Sequence, residues 1–389
     1  MSRSARSRSP ASSPPPSHKV SGGAGRAGGR PGFLFVTCQI GAERAVKHEL
    51  AQQWPDFRLA YSRPGFLTFK LPAAGELRAD FDLGSVFARA YAFSLGRVNG
   101  QELDEMAERV WEFPPPRTPQ RIHVWQRDSV KPGEQGFATP VNALAYEVAE
   151  RIGRACRARR RLASDATDLA RPAQPGETVL DCVIVGPHEW WVGYHQVRDT
   201  ASAWSGGAIP VHSPPDAVSR AFLKMEESLC WSALPIPVGA RCAELGSAPG
   251  GASQALLRRG MRVLGIDPAE MHPAVLAHPN FTHLRRRVNQ VRRREFRRIR
   301  WLMADMNVAP TYTLDAVEAI VTHPEIHIRG MLLTLKLVRW ELASQVPRFL
   351  DRVRSWGYNQ VRARQLLYHR QEICVAALRR PFTKTPVRR

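Results

Sequence analysis

Six cysteines are scattered along the chain (Cys38, Cys156, Cys182, Cys230, Cys242 and Cys374), and no two form a CxxC pair. That spacing gives little support to a zinc site or a disulfide framework and suits a reducing compartment, the cytoplasm. Long apolar runs are missing as well. No window approaches about 18 uninterrupted apolar residues, so no membrane-spanning helix is expected. The N-terminus lacks the apolar core of a secretory signal. Acids are scarce: 35 Asp and Glu stand against 56 Lys and Arg, a net charge of +21 over 389 residues. A surplus of that size says nothing of the fold but favours a polyanionic partner, nucleic acid ahead of an anionic membrane.

What is present divides into segments. Residues 1–32 are Ser, Arg, Pro and Gly with almost nothing apolar, a composition that reads as a disordered basic tail. Residues 33–98 read as a small α+β domain: a strand, a turn at Gly41, an amphipathic helix, two alternating strands about Pro64–Gly65, then a helix running into a strand at "LGSVFARAYAFSLGRV". A polar helix ending in Pro114–Pro116 marks a boundary. Residues 99–200 read as a second α+β unit, with the strand "RIHVWQRD", a long helix opened by Thr139–Pro140, and a hairpin turning near Gly186–His188. That helix ends in Arg154, Arg157, Arg159, Arg160 and Arg161, open to two readings: a solvated end favoured by the helix dipole, or a patch facing RNA. Of the adjacent Trp190 and Trp191, one must point inward and one outward. Residues 201–216 are rich in Gly, Pro and Ser and read as a linker. From Ala217 to about Arg380 the rhythm becomes helix, strand, Gly-rich turn, helix, strand, the pattern of a parallel, doubly wound α/β sheet. A short basic tail closes the chain at 381–389.

The densest signal is "CAELGSAPGGASQALLRRG", Cys242 to Gly260. A buried strand ends at Gly246, and a helix follows the loop Ser247–Gly251. Glycines at such a junction let the backbone approach a ligand lying outside the carboxyl ends of the strands. The next strand, "MRVLGID", closes on Asp267, twenty-one residues past Gly246, where an acid accepts from ribose hydroxyls. This much fits NAD, FAD or S-adenosylmethionine; the absence of GxGxxG counts against a dinucleotide.

"ELGSAPGGASQ" resembles the D-L-G-A-x-P-G-G-[WF]-[ST]-Q segment of FtsJ-type ribose 2′-O-methyltransferases. The resemblance implies a Rossmann-like seven-stranded methyltransferase sheet over 217–380. It also implies S-adenosylmethionine held by Gly246, Ser247, Ala248, Pro249, Gly250, Gly251 and Asp267, with Asp305 beside it. Lys224 in "SRAFLKMEE", Asp305 after "WLMA", Lys336 in "MLLTLKLV" and Glu372 in "HRQEICVAAL" follow the order of that family's catalytic tetrad. "GMRVLGIDPAEM", "LTLKL" and "RQLLYHRQE" narrow the resemblance to the RlmM group, which methylates a cytidine ribose in 23S rRNA. It implies a ferredoxin-like domain at 33–98, a THUMP-like RNA-binding domain at 99–200, and partners that are RNA rather than DNA or membrane.

Five residues depart from the family pattern. Glu244 replaces Asp, keeping the charge with a longer reach; Ala252 replaces an aromatic; Ala221 replaces a hydroxyl. Arg286 and Arg287 occupy the place of the acid expected to hold the adenine amino group, inside a run of nine arginines from Arg285 to Arg300. The run is open to two readings, a solvated basic face or, favoured by its place in the catalytic domain, a clamp on the RNA backbone. In the mechanism these residues suggest, Lys336 is the base, its pKa lowered by burial and by Lys224. Asp305 and Glu372 orient the ammonium groups and oppose that shift, Lys224 holds the hydroxyl and adjacent phosphate, and no metal is called for. The alternative is an rRNA-binding protein with a degenerate, cofactor-poor methyltransferase domain. A small-molecule methyltransferase leaves the +21 charge without a purpose.

Overall fold

The computed structural model describes residues 32–73, 77–134, 137–157 and 166–379. The expected basic tails fall, but for Gly32, outside these residues, as do Arg159, Arg160 and Arg161 of the basic helix end. Arg154 of that helix pairs with Glu150 at 3.9 Å.

Two seven-stranded sheets carry the fold. The N-terminal sheet comprises β1 (Phe33–Cys38), β2 (Arg58–Arg63), β3 (Phe66–Lys70), β4 (Ala88–Asn99), β5 (Arg121–Gln126), β6 (Thr178–Gly186) and β7 (Glu189–Gln196), in the order β2-β3-β1-β4-β7-β6-β5. Its helices are α1 (Glu43–Gln53), α2 (Leu103–Val110) and α3 (Ala143–Arg157). The sequence leads to two units here, yet one sheet runs through both. The reason is β4, which pairs with β1 along its first half and with β7 along its second. The helix expected before that strand is absent. Arg89 and Tyr91 lie within the strand, and pairing with β1 overrides the helix propensity of Ala88, Ala90 and Ala92. The long helix begins at Ala143 rather than at Thr139–Pro140, with the Asn142 side chain accepting from the Ala145 amide. Trp190 is buried, whereas Trp191 is half-buried and stacks on Tyr61 with ring centroids 6.4 Å apart.

The C-terminal sheet comprises β8 (Arg241–Leu245), β9 (Arg262–Ile266), β10 (Phe281–Leu284), β11 (Trp301–Ala304), β12 (Gly330–Lys336), β13 (Gln360–Arg364) and β14 (Glu372–Leu378), ordered β10-β9-β8-β11-β12-β14-β13. Around it lie α4 (Ala221–Ser232), α5 (Gly251–Arg258), α6 (Pro273–Leu276), α7 (Pro310–Val321) and α8 (Val346–Ser355). The strands are parallel as the βαβ rhythm requires, except β14, which slots antiparallel between β12 and β13. The short β13–β14 connection permits that reversal without a crossover helix. The chain winds one way from β8 to β10 and the other way from β11, so the order reverses between β8 and β11. Ligands of such sheets sit at that crevice.

The first part of the segment read as a linker, through Ile209, packs tightly, whereas residues 210–216 are exposed or half-buried. Ala201, Ser205 and Ile209 are buried, and a Cβ on Gly207 would lie 2.2 Å from the Arg89 carbonyl oxygen. Among the described residues no helix is long and apolar enough to cross a membrane.

Candidate active site

Four charged side chains meet at the carboxyl end of the C-terminal sheet. Lys224 comes from the first turn of α4, Asp305 directly follows β11, Lys336 ends β12, and Glu372 opens β14. The antiparallel register sets Lys336 opposite Glu372. Lys224 Nζ lies 2.5 Å from Glu372 Oε1 and 3.3 Å from Asp305 Oδ2. Lys336 Nζ lies 3.2 Å from Glu372 Oε2 and 3.4 Å from Asp305 Oδ1. Each ammonium thus touches both carboxylates, closing a ring of alternating charge. The side chain of Glu372 is 6% exposed and that of Lys336 23%, so the ring is nearly dry on one side and open on the other.

This ring overturns one sequence expectation. Burial does pull the Lys336 ammonium down, but Asp305 and Glu372 outweigh it and hold its pKa above the ordinary value. Burial likewise pushes Glu372 up, yet His369, Lys224 and Lys336 together hold it at about 2. Lys336 is therefore charged at rest, and it becomes a base only after losing a proton.

Two polar residues that the sequence does not single out set the ring's geometry. Glu227, one turn beyond Lys224 on α4, is buried and accepts from the amides of Leu367 (2.8 Å) and Tyr368 (3.0 Å). It thereby ties α4 to the loop leading into Glu372, and burial pushes its carboxyl up to about 7. Gln254 of α5 donates to the Asp216 carbonyl at 2.9 Å and accepts from the Val218 amide at 2.9 Å, fixing the chain just ahead of α4. Gln254 stands inside the glycine-loop motif; Glu227 carries only the weak signal of a second acid, after Glu226, on the helix that bears Lys224.

The glycine loop forms the edge of a second hollow at the crevice between β8 and β11. Gly246, at φ +81°, lines it, and a Cβ there would lie 2.8 Å from the Asp305 carbonyl oxygen. Asp267 also lines it, its carboxylate accepting from the Ala248 amide at 3.1 Å and the Ala269 amide at 2.8 Å. Each carboxylate oxygen keeps a lone pair for a further donor. Ile266, Val288, Met306, Val308 and Tyr312 supply apolar wall. The other loop residues serve the protein rather than the hollow. Ser247 is buried against Met271 Sδ at 3.5 Å, and the Pro249 carbonyl accepts from the His272 amide at 2.9 Å. Gly250, at φ +119°, leaves no room for a Cβ beside Val275, and Gly251 leaves none beside Ser219. Their smallness admits neighbouring chain.

Glu244 is a second correction. Its carboxyl is 1% exposed and hydrogen-bonded by the Ser253 hydroxyl. Burial, opposed by Ser253 and aided by Asp305 and Asp267, pushes it up to about 8, so it is uncharged at neutral pH. Arg286, Arg287 and Arg293 stand along the wall of the same hollow as Gly246 and Asp267. Arg294 pairs with Glu295 at 3.3 Å, and Arg297 with Glu325 at 2.7 Å. Among the described residues one trio could hold a metal ion, His123, Asp181 and His195, and it belongs to the N-terminal sheet.

A family model described as FtsJ-like methyltransferase matches residues 217–353. Three proteins named ribosomal RNA large subunit methyltransferase M are similar to this chain. That of Xylella fastidiosa (strain M12) is 28% identical over 271 residues, covering 67% of this chain and 72% of its own. That of Halorhodospira halophila is 31% identical over 189 residues, covering 47% of this chain and 53% of its own. That of Sodalis glossinidius is 31% identical over 227 residues, covering 54% of this chain and 59% of its own. The matched stretch holds Lys224, Asp305, Lys336 and the glycine loop, while Glu372 joins them from β14 just beyond it. The match makes residues 217–353 an FtsJ-like methyltransferase domain.

Proposed function

We propose that this protein methylates a ribose 2′-hydroxyl of RNA, that of a cytidine in 23S rRNA, with S-adenosylmethionine as the methyl donor. The observation that carries the reading is the closed ring of Lys224, Asp305, Lys336 and Glu372 beside the Gly246–Asp267 hollow. A degenerate domain would have no reason to keep each of two ammonium groups within 3.4 Å of both carboxylates. The relatives named rRNA methyltransferase M and the charge of +21 support the substrate class.

The hollow suits the cofactor: a cradle at Gly246, a carboxylate with spare lone pairs at Asp267, and an apolar wall. Bound there, S-adenosylmethionine supplies an electrophilic methyl on a sulfonium. Gly246 and Asp267 would hold it, with Asp305 of the ring one residue before Met306 in the hollow's wall. The chain's remaining task is to place a hydroxyl in line and take its proton. Lys336, once it has shed its own proton to solvent through its exposed side, accepts the hydroxyl proton. Asp305 and Glu372 stabilise the ammonium that results, and Lys224 orients the hydroxyl and its neighbouring phosphate. The N-terminal sheet, including the THUMP-like unit we assign to 99–200, holds the RNA, and the protein works in the cytoplasm.

Ribose methylation mapped across rRNA from cells with and without the protein tests this reading. One 23S ribose should lose its methyl in the deletion and regain it with the wild-type gene. It should not regain it with Lys336→Ala, since a positioned acid–base group contributes roughly 10²–10⁴-fold. An unchanged map would refute it.

A further inference from the structure

A nucleotide whose ribose sits on Lys224 and Lys336 also carries a base, which needs a surface of its own. The hollow above the tetrad is charged at its floor, where Lys224, Lys336 and Glu372 line it. Its wall is aromatic. Phe137 enters from the connection between β5 and α3 of the N-terminal sheet, and Tyr368 from the loop between β13 and β14. Their ring centroids lie 5.9 Å apart at 48°, and the Arg220 guanidinium lies 5.4 Å from the Phe137 ring. A second approach holds the same connection over the cleft: a Cβ on Gly133, at φ +84°, would lie 2.4 Å from Arg370 Nε.

Packing between the two halves does not account for these rings. The halves are joined elsewhere by contacts that are fully buried, such as Gln39 Nε2 donating to the His369 carbonyl at 2.8 Å. Phe137 and Tyr368 are only half-buried, and both line the cleft that holds the tetrad. Aromatic rings beside guanidinium groups at the mouth of a cationic cleft are the combination that receives an unpaired base: the ring stacks, and the cation meets the backbone.

We propose that Phe137 and Tyr368 form a stacking platform for the base of the target nucleotide, so that the N-terminal half contributes a residue to the methyl-transfer site. The proposal rests on the ribose-methyltransferase reading above. The base must leave its own stack to reach the platform, so the target lies in a loop or other unpaired stretch of the RNA.

The test uses the full-length protein, 23S rRNA transcribed in vitro, and single-turnover methyl transfer at sub-saturating RNA. Phe137→Ala should slow transfer about 5- to 150-fold, the range that loss of one base–aromatic stack gives. Calorimetric binding of S-adenosylmethionine should stay within about twofold. RNA affinity should also change little, because phosphate contacts dominate it. Phe137→Leu keeps apolar bulk without a π face and should be slowed almost as much as Phe137→Ala, whereas Phe137→Trp should transfer several-fold faster than Phe137→Leu. Equal rates for the Leu and Trp variants, or an Ala variant within twofold of an active wild type, would overturn the platform alone. A wild-type protein that methylates no ribose of the transcript would overturn the reading beneath it, and the platform with it.

Discussion

Replacing Glu244 with Gln should make the protein's stability less sensitive to alkali. The wild-type carboxyl is 1% exposed, and its pKa rises from an ordinary 4.5 to about 8. Between those values the unfolded chain has released a proton that the folded one still holds. The stability this group contributes is therefore fully present below about pH 4.5 and is lost progressively as pH rises toward about 8. Each unit of that interval corresponds to about 1.4 kcal/mol. Between pH 6 and 8, allowing for partial ionisation near the upper end, the loss is roughly 2 kcal/mol. Glutamine has the same shape, still accepts from Ser253, and does not titrate. Urea unfolding of wild type and Glu244→Gln across pH 6 to 8 should give curves that diverge, the variant gaining roughly 2 kcal/mol on the wild type. Parallel curves would show that Glu244 is ionised in the folded protein and that its burial against Ser253 is compensated by something other than a proton.

The ring itself predicts a pH–rate profile. With Lys336 held above its ordinary 10.5 by Asp305 and Glu372, single-turnover methyl transfer should climb with pH without a plateau below about 10; Glu372→Gln should bring the plateau to lower pH, and a wild-type plateau below pH 9 would assign the proton to another group. Changing Arg286, Arg287, Arg293 and Arg294 together to Ser should reduce the slope of log RNA affinity against log salt by about 0.7 for each phosphate no longer neutralised, with S-adenosylmethionine affinity within about twofold. Because three of the four line the cofactor hollow, an unchanged slope with weakened cofactor binding would assign the run to the cofactor instead.

The parts legible in the sequence are those written locally. The turn from Gly246 to Gly251 and the acid at Asp267 lie at strand ends, where short-range pattern marks them, and the order Lys224, Asp305, Lys336, Glu372 survives translation into one ring because each sits at the end of its element. The misleading parts depend on distant partners. β4 looks part-helical because its alanines favour a helix; only pairing with β1, some fifty residues earlier in the chain, makes that half a strand. The sequence points to a lowered pKa for Lys336 because burial is weighed there against carboxylates at unknown distances; at 3.2 and 3.4 Å they prevail. The charge of Glu244 cannot be judged without its burial. Glu227 and Gln254 each act on chain 36 to 141 residues away, which no local pattern reports.

The loop between β13 and β14 bears on whether the catalytic half could be transplanted. Arg364 donates to the Arg89 carbonyl, the Gln365 amide donates to the Val86 carbonyl at 2.8 Å, and Gln39 donates to the His369 carbonyl. All three anchors lie within eight residues of Glu372, and all three are held by the N-terminal half. The enzyme is thus no cassette in which a reader is strung to a writer. Grafting residues 217–379 onto a foreign RNA-binding module would carry over every residue of the tetrad and leave behind the scaffold that aligns one corner of it. New specificity in such a protein would have to come from reshaping the N-terminal sheet in place rather than exchanging it.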